Sequence, residues 1–179
     1  MRKWNGVITA GILVLFLAHA VMGSFQLYGV GNTALRHTAR AAMILVVIHA
    51  VISAKLTLDT IRTVRRTGAP YIRQNLLFWA RRVSGFALLV FLVLHMTAFS
   101  TGGGGAYRLK WFNTGRLVTQ ILMVLTLGIH LISNIKPALI TFGIRGLKSK
   151  TGHILFALSV LLLFMAGALI VYYLRWNRI

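Results

Sequence analysis

Four histidines stand inside long apolar runs of this chain, and they are the residues whose type and spacing could do chemistry. They are His19, His49, His95 and His130, one in each of four successive runs. An imidazole inside a membrane finds no water to hydrogen-bond, so each ring needs a partner within the protein or a bound group. Each is therefore a functional candidate, although a lone histidine could simply hydrogen-bond a neighbouring helix.

The composition excludes most other chemistries. Lys and Arg total 20 against a single acidic residue, Asp59, and the chain has no cysteine. It therefore has no carboxylate pair for acid–base catalysis or a hard-metal site, and no thiolate for an iron–sulfur cluster or a disulfide. Histidine is the one strong ligand left inside the membrane. The positive charge lies between the apolar runs, so membrane lipid and an acidic protein are the expected partners, and nucleic acid is not.

Transmembrane helices are the elements that must position these histidines. Hydrophobic residues make up 58% of the 179 residues and fall into five blocks, and roughly 20 apolar residues cross a bilayer as a helix. The sequence predicts an all-α polytopic membrane protein, a single domain over residues 1–179 with a four-helix bundle around the histidines. The expected spans are 6–28, 39–58, 83–101, 117–135 and 153–174. The first is expected to be a retained span rather than a signal peptide.

Three features between the spans carry further expectations. The longest connection is predicted over residues 59–82, and Pro137 is expected to stop or kink the fourth helix. His37 and His153 stand at the borders between loops and spans, where a surface or packing role is expected.

Basic residues are divided unequally between the two sides of the predicted bundle. Thirteen of the 20 lie in the N-terminal segment, 55–82 and 136–150, and seven lie on the other side. The positive-inside rule therefore predicts a cytoplasmic N-terminus. In that orientation His19 and His95 fall in the outer half and His130 in the inner half. His49, near the middle of its span, remains as the partner of His130.

Two imidazole pairs at two depths favour haem. Axial histidines approach haem iron from opposite faces of the ring, and facing helices of a bundle can supply both. We therefore expect one haem b between His19 and His95 and a second between His49 and His130. Two haems in line would carry electrons across much of the membrane.

Short motifs in the chain resemble a known family. Residues 82–85 (R-V-S-G), at the start of the third span, are similar to the R-x-S/T-G entry of the cytochrome b anchor subunits of succinate dehydrogenases and fumarate reductases. Residues 130–136 (H-L-I-S-N-I-K), with 142–143 (F-G) after them, are similar to that family's H-x-x-x-G-I-R stretch ahead of D-F-G. The layout resembles the dihaem, five-helix, single-subunit anchors, in which spans one and three bind one haem and spans two and four the other.

The resemblance implies a membrane anchor that passes electrons between an iron–sulfur subunit, joined to a flavoprotein subunit, and a quinone such as menaquinone. It implies that Arg82, Ser84 and Lys136 contact the cofactors, and that the dicarboxylate chemistry takes place in the partner subunits. The implied location is the bacterial inner (cytoplasmic) membrane, in a respiratory complex that could form a higher oligomer. The basic cytoplasmic loops would be the docking face.

The chain departs from the family pattern at three positions and leaves two other classes open. Asn134, Lys136 and Thr141 replace the family's Gly, Arg and Asp, and with no Glu the chain offers no carboxylate-based proton route.

One alternative function is that of the cytochrome b subunit of a membrane hydrogenase or formate dehydrogenase, but such subunits resemble a four-span core with two histidines close together on one helix. The other is a haem-free small transporter, which would need a polar path that these spans barely offer.

Overall fold

The computed structural model describes residues 2–30, 35–68, 76–99, 111–143 and 147–177. Within these ranges the protein is all-helical. The helices are α1 (Arg2–Leu27), α2 (Leu35–Thr67), α3 (Leu76–Ala98), α4 (Thr114–Thr141) and α5 (Leu147–Asn177). Each is long and apolar enough to cross a membrane. The predicted fold class, an α-helical membrane protein with five spans, is confirmed.

The helices satisfy their own polar groups, as a helix in lipid must. Hydroxyls within the spans donate to carbonyls one turn earlier, as Ser159 Oγ does to Leu155 at 2.9 Å, so these residues do not interrupt the helix. α4 begins at Asn113, whose side chain accepts the N–H of Arg116 at 2.9 Å. It ends where Gly143 takes a φ of +67°, a conformation that glycine adopts without strain.

α2 is longer than the sequence predicted. It continues to Thr67, so the first part of the expected connection 59–82 is helix. Hydroxyls at 60, 63 and 67 donate to carbonyls one turn earlier, and Asp59 pairs with Arg62 at 3.9 Å. The helix thus runs about 14 Å past its predicted membrane boundary at 1.5 Å per residue. Its end carries exposed arginines, among them Arg65 and Arg66.

The expected stop at Pro137 is not found, because α4 passes through that residue and ends at Thr141. Proline has no N–H, so the Ser133 carbonyl loses its partner within the helix. Membrane helices tolerate this loss where local side chains and neighbouring helices compensate. The Thr141 hydroxyl donates to the Pro137 carbonyl at 2.8 Å, which ties the last turn to the helix.

The five helices pack as two hairpins and a fifth helix. α1 packs along α2, α3 packs along α4, and α5 lies against both α4 and α1, while α1 also touches α4. Within the described ranges no comparably extensive packing joins α2 to α3. The order places α1 across from α3 and α2 across from α4, with an open side between α2 and α3. We call the end of the bundle that holds the start of α1 the N-terminal side, and the other end the far side.

An aromatic cluster closes the far side of the bundle. Phe112, Val124, Leu169 and Tyr172 are buried there, and Phe99 packs against them. The ring centroids of Phe112 and Tyr172 lie 5.2 Å apart. This cluster fixes the end of α3, the start of α4 and the end of α5 relative to one another, and His95 stands beside it.

Candidate functional site

His19 of α1 and His95 of α3 meet across the bundle in its far half. Their ring centroids are 6.1 Å apart and their planes cross at 79°. Two imidazoles that bind one iron from opposite faces, each through a metal–nitrogen bond of about 2 Å, have centroids about 6 Å apart. An edge-to-face ring contact falls in the same range, so the hydrogen bonds of each ring carry the argument.

The ring of His95 is held by a buried carboxamide. Its Nδ1 lies 2.7 Å from Oε1 of Gln120 on α4, and Gln120 is 0% exposed. Because a carboxamide oxygen can only accept, Nδ1 carries the proton, which leaves Nε2 of the neutral ring unprotonated and free to bind a metal. Phe99 packs on the same imidazole, with ring centroids 5.1 Å apart. Metal-binding histidines commonly have their second nitrogen fixed in this way.

The ring of His130 is held by a hydroxyl on the neighbouring helix. Its Nδ1 lies 3.1 Å from Ser84 Oγ on α3, and that hydroxyl donates its own proton to the Ala80 carbonyl. The Ser84 oxygen therefore accepts from Nδ1–H, and the backbone of Arg81 is a second hydrogen-bond partner of this ring. Gly85 allows the close approach, since a Cβ there would lie 3.2 Å from the His130 ring.

His49 has longer contacts, and they involve both of its ring nitrogens. Its Nδ1 lies 3.4 Å from Thr9 Oγ1 on α1, and that hydroxyl donates to the Asn5 carbonyl at 2.7 Å. Its Nε2 lies 3.4 Å from Ser53 Oγ, one turn along α2. His49 is within electrostatic range of His130, the partner that the sequence predicts for it.

His19 differs from the other three histidines. Its Nδ1 is buried and has no hydrogen-bond partner among the described residues. The pair that it forms with His95 is therefore fixed by a hydrogen bond from one side alone.

The two pairs lie on two levels of the bundle. Ten residues separate Thr9, which contacts His49, from His19 on α1. Ten residues also separate Gln120, which contacts His95, from His130 on α4. At 1.5 Å per residue the levels are about 15 Å apart. The structure thus brings the His19 and His95 rings together in the far half and places His130 within electrostatic range of His49 towards the N-terminal side, and haem ligation by these residues stays a prediction.

The other predicted site residues lie on the N-terminal side. The Arg82 Nε donates to Thr57 Oγ1 on α2 at 3.0 Å, and its guanidinium lies 4.5 Å from the Phe78 ring centroid. It thereby bridges the open side between α3 and α2, within electrostatic range of His130. Lys136 is exposed on α4, six residues past His130. Ser84, which the resemblance implies to contact a cofactor, lies beside the His130 ring and contacts that histidine.

Sequence reasoning missed the acceptors Gln120 and Thr9. Both are polar residues inside apolar spans, and for Gln120 the cost of burying a carboxamide in a membrane helix is itself a signal. In the ranges that the structure covers, no three His, Asp or Glu side chains converge. A pair of histidines suits haem, since the porphyrin supplies the remaining nitrogens to the iron.

None of the protein-family models, curated proteins or solved structures with which the chain was compared matches it. Its class is therefore defined by the fold and the site. It is an α-helical protein with five helices long and apolar enough to span a membrane, in which the rings of His19 and His95 meet between the two helical hairpins and His49 lies within electrostatic range of His130.

Proposed function

We propose that the protein is a dihaem cytochrome b that conducts electrons through a membrane. One haem b is bound by His19 and His95, and the other by His49 and His130. The observation that carries the proposal is that the His19 and His95 rings lie 6.1 Å apart, that His130 lies within electrostatic range of His49 on a second level, and that Nδ1 of both His95 and His130 has a hydrogen-bond partner.

The surroundings of the pairs fit a haem in each. α2 and α3 do not pack extensively along their described ranges, so packing between these two helices does not close that side of the bundle. A bound haem supplies one-electron exchange at its iron. The chain would hold the imidazoles of His95 and His130 in place through their hydrogen bonds to Gln120 and Ser84. Two levels about 15 Å apart cover about half of a hydrocarbon core that is about 30 Å thick.

We propose further that the chain anchors a succinate:quinone oxidoreductase or fumarate reductase in the bacterial cytoplasmic membrane. It would carry electrons between an iron–sulfur subunit and a quinone such as menaquinone. Support comes from the R-V-S-G motif at 82–85, because three of its residues lie around one histidine. Ser84 contacts the His130 ring, Gly85 makes room for it, and Arg82 bridges to α2 beside it.

The charge of the N-terminal side supports an acidic partner on that face. The last two turns of α2 carry Arg62, Arg65 and Arg66, all exposed, and the formal net charge of the chain is +19. A one-sided cluster of this kind steers an oppositely charged protein and sets its orientation. We propose that this is the cytoplasmic face, where the iron–sulfur subunit docks next to the His49–His130 pair.

Haem content tests the cytochrome proposal. We expect two haems per chain by pyridine haemochrome assay of the purified protein. His19→Ala or His95→Ala should remove one haem, and His49→Ala or His130→Ala the other. His37→Ala, at an exposed position, is the control and should keep both. A wild-type ratio near zero refutes the proposal, and a ratio near one removes one pair.

Reduction by substrate tests the anchor proposal separately. An affinity-tagged chain should co-purify from native membranes with flavin- and iron–sulfur-containing subunits, and succinate should reduce its haems. If the haems are present and succinate does not reduce them, the anchor assignment is overturned while the cytochrome remains.

A further inference from the structure

Gln120 is the most completely buried polar side chain of the described bundle, and its place needs a reason. It is 0% exposed, and its Nε2 has no partner in the part of the chain that the structure describes. A leucine of similar size would pack there without leaving a donor unpaired. Among the described residues, the one polar contact of the Gln120 side chain is the 2.7 Å hydrogen bond that its Oε1 accepts from His95 Nδ1–H.

The contact controls three properties of the His95 ring. It fixes the tautomer, because Nδ1 must carry the proton to donate. It fixes the ring's rotation, together with Phe99 on the ring and the aromatic cluster behind it. It also draws charge from Nδ1–H, which makes Nε2 a more basic ligand and favours the more highly charged state of a bound metal.

We propose that Gln120 is a positioning residue that aims His95 Nε2 at the iron shared with His19 and lowers the reduction potential of that haem alone. The inference rests on the proposed cytochrome function. The selectivity follows from distance, since the second pair lies about 15 Å away along the bundle. It follows also from chemistry, because His130 and His49 contact hydroxyl oxygens of Ser84 and Thr9 instead.

Redox titration of the visible haem bands tests this inference. In Gln120→Leu the acceptor is lost, and we expect the haem that His95→Ala removes to become easier to reduce by about tenfold in equilibrium constant. That is about 59 mV for a one-electron couple. The other haem should keep its potential. In Gln120→Glu an acceptor oxygen remains, so the same haem should stay at or below its wild-type potential.

Thr119→Val is the matched control. It lies next to Gln120 on α4, and its hydroxyl donates only within the helix, to the Arg116 carbonyl at 2.9 Å. Both haem potentials should be unchanged. Low-temperature electron paramagnetic resonance of the oxidised protein gives a second readout, since the g-values of the affected haem should move in Gln120→Leu and remain in Thr119→Val.

Each outcome discriminates. If Gln120 only fills space, Gln120→Leu will leave the potential and the g-values unchanged, which overturns the inference. If Gln120→Leu loses the haem and Gln120→Glu keeps it, the acceptor is required and the inference stands. Loss of that haem from both variants overturns it. A wild-type protein without haem would instead overturn the proposed function, and the haem assay detects that case first.

Discussion

Replacing Ser84 by alanine should weaken the haem held by His49 and His130 and spare the other. Ser84 is 4% exposed, and its oxygen accepts from His130 Nδ1–H at 3.1 Å. Alanine removes this hydrogen bond and leaves the half-buried ring with the Arg81 backbone as a partner, at a cost of about 0.5–1.5 kcal/mol. Since 1.4 kcal/mol is tenfold in an equilibrium constant, haem affinity should fall by roughly 2- to 12-fold. Loss of an outer hydrogen bond to a metal ligand typically costs about 10- to 100-fold, so we expect an effect near the lower end of that range.

Haem transfer to an excess of an apo-haem protein measures the effect. One of the two haems should leave Ser84→Ala much faster than it leaves the wild-type protein, and the other should leave at its usual rate. Ser159→Ala on α5 is the control, because that exposed hydroxyl also bonds the carbonyl one turn back and contacts no histidine. Equal transfer rates in the two variants would refute the role given to Ser84.

Two further predictions concern a close contact and the charged face. Gly85→Ala puts a methyl group 3.2 Å from the imidazole of His130, so the spectrum of the same haem should shift, whereas Gly23→Ala meets nothing within 4 Å and should change nothing. Identical spectra in the two variants would show that the ring has room to spare. Arg65→Gln with Arg66→Gln should slow succinate-driven haem reduction several-fold at unchanged haem content, and should do so less at high salt. An unchanged rate at low salt would place the docking surface elsewhere.

The spans could be predicted from the sequence because transfer of apolar side chains into lipid dominates their energetics. Their ends could not. α2 extends to Thr67 because hydrogen bonds from threonine hydroxyls and the Asp59–Arg62 ion pair stabilise its last turns, although the residues there are too polar to lie within the membrane. α4 continues past Pro137 because a proline removes only one backbone hydrogen bond, and a long packed membrane helix tolerates that loss.

The histidine levels could also be predicted, because depth follows from counting residues along alternating helices. The 6.1 Å between His19 and His95 agrees with that count, and ligation stays a prediction. The acceptors could not be found in this way. Which residue faces a given histidine depends on the register of two antiparallel helices, and hydrophobic periodicity does not fix that register.

The α3–α4 hairpin reveals a reciprocal pattern. α3 carries Ser84 at one level and His95 at the other, while α4 carries His130 and Gln120 at the same two levels. Each helix therefore supplies one histidine and the acceptor for its neighbour's histidine. A serine hydroxyl suits this position in lipid, because it satisfies its own proton within its helix and still offers an oxygen.

The α1–α2 hairpin carries the same pattern on one of its two levels. α1 supplies His19 and, ten residues earlier, Thr9 as the acceptor for His49 of α2. The antiparallel register set by Thr9 and His49 brings Ala39 of α2, which offers no side-chain acceptor, level with His19. His19 Nδ1 accordingly has no partner among the described residues. Three of the four histidines thus have an acceptor across a hairpin, and the two hairpins share this design at those three positions.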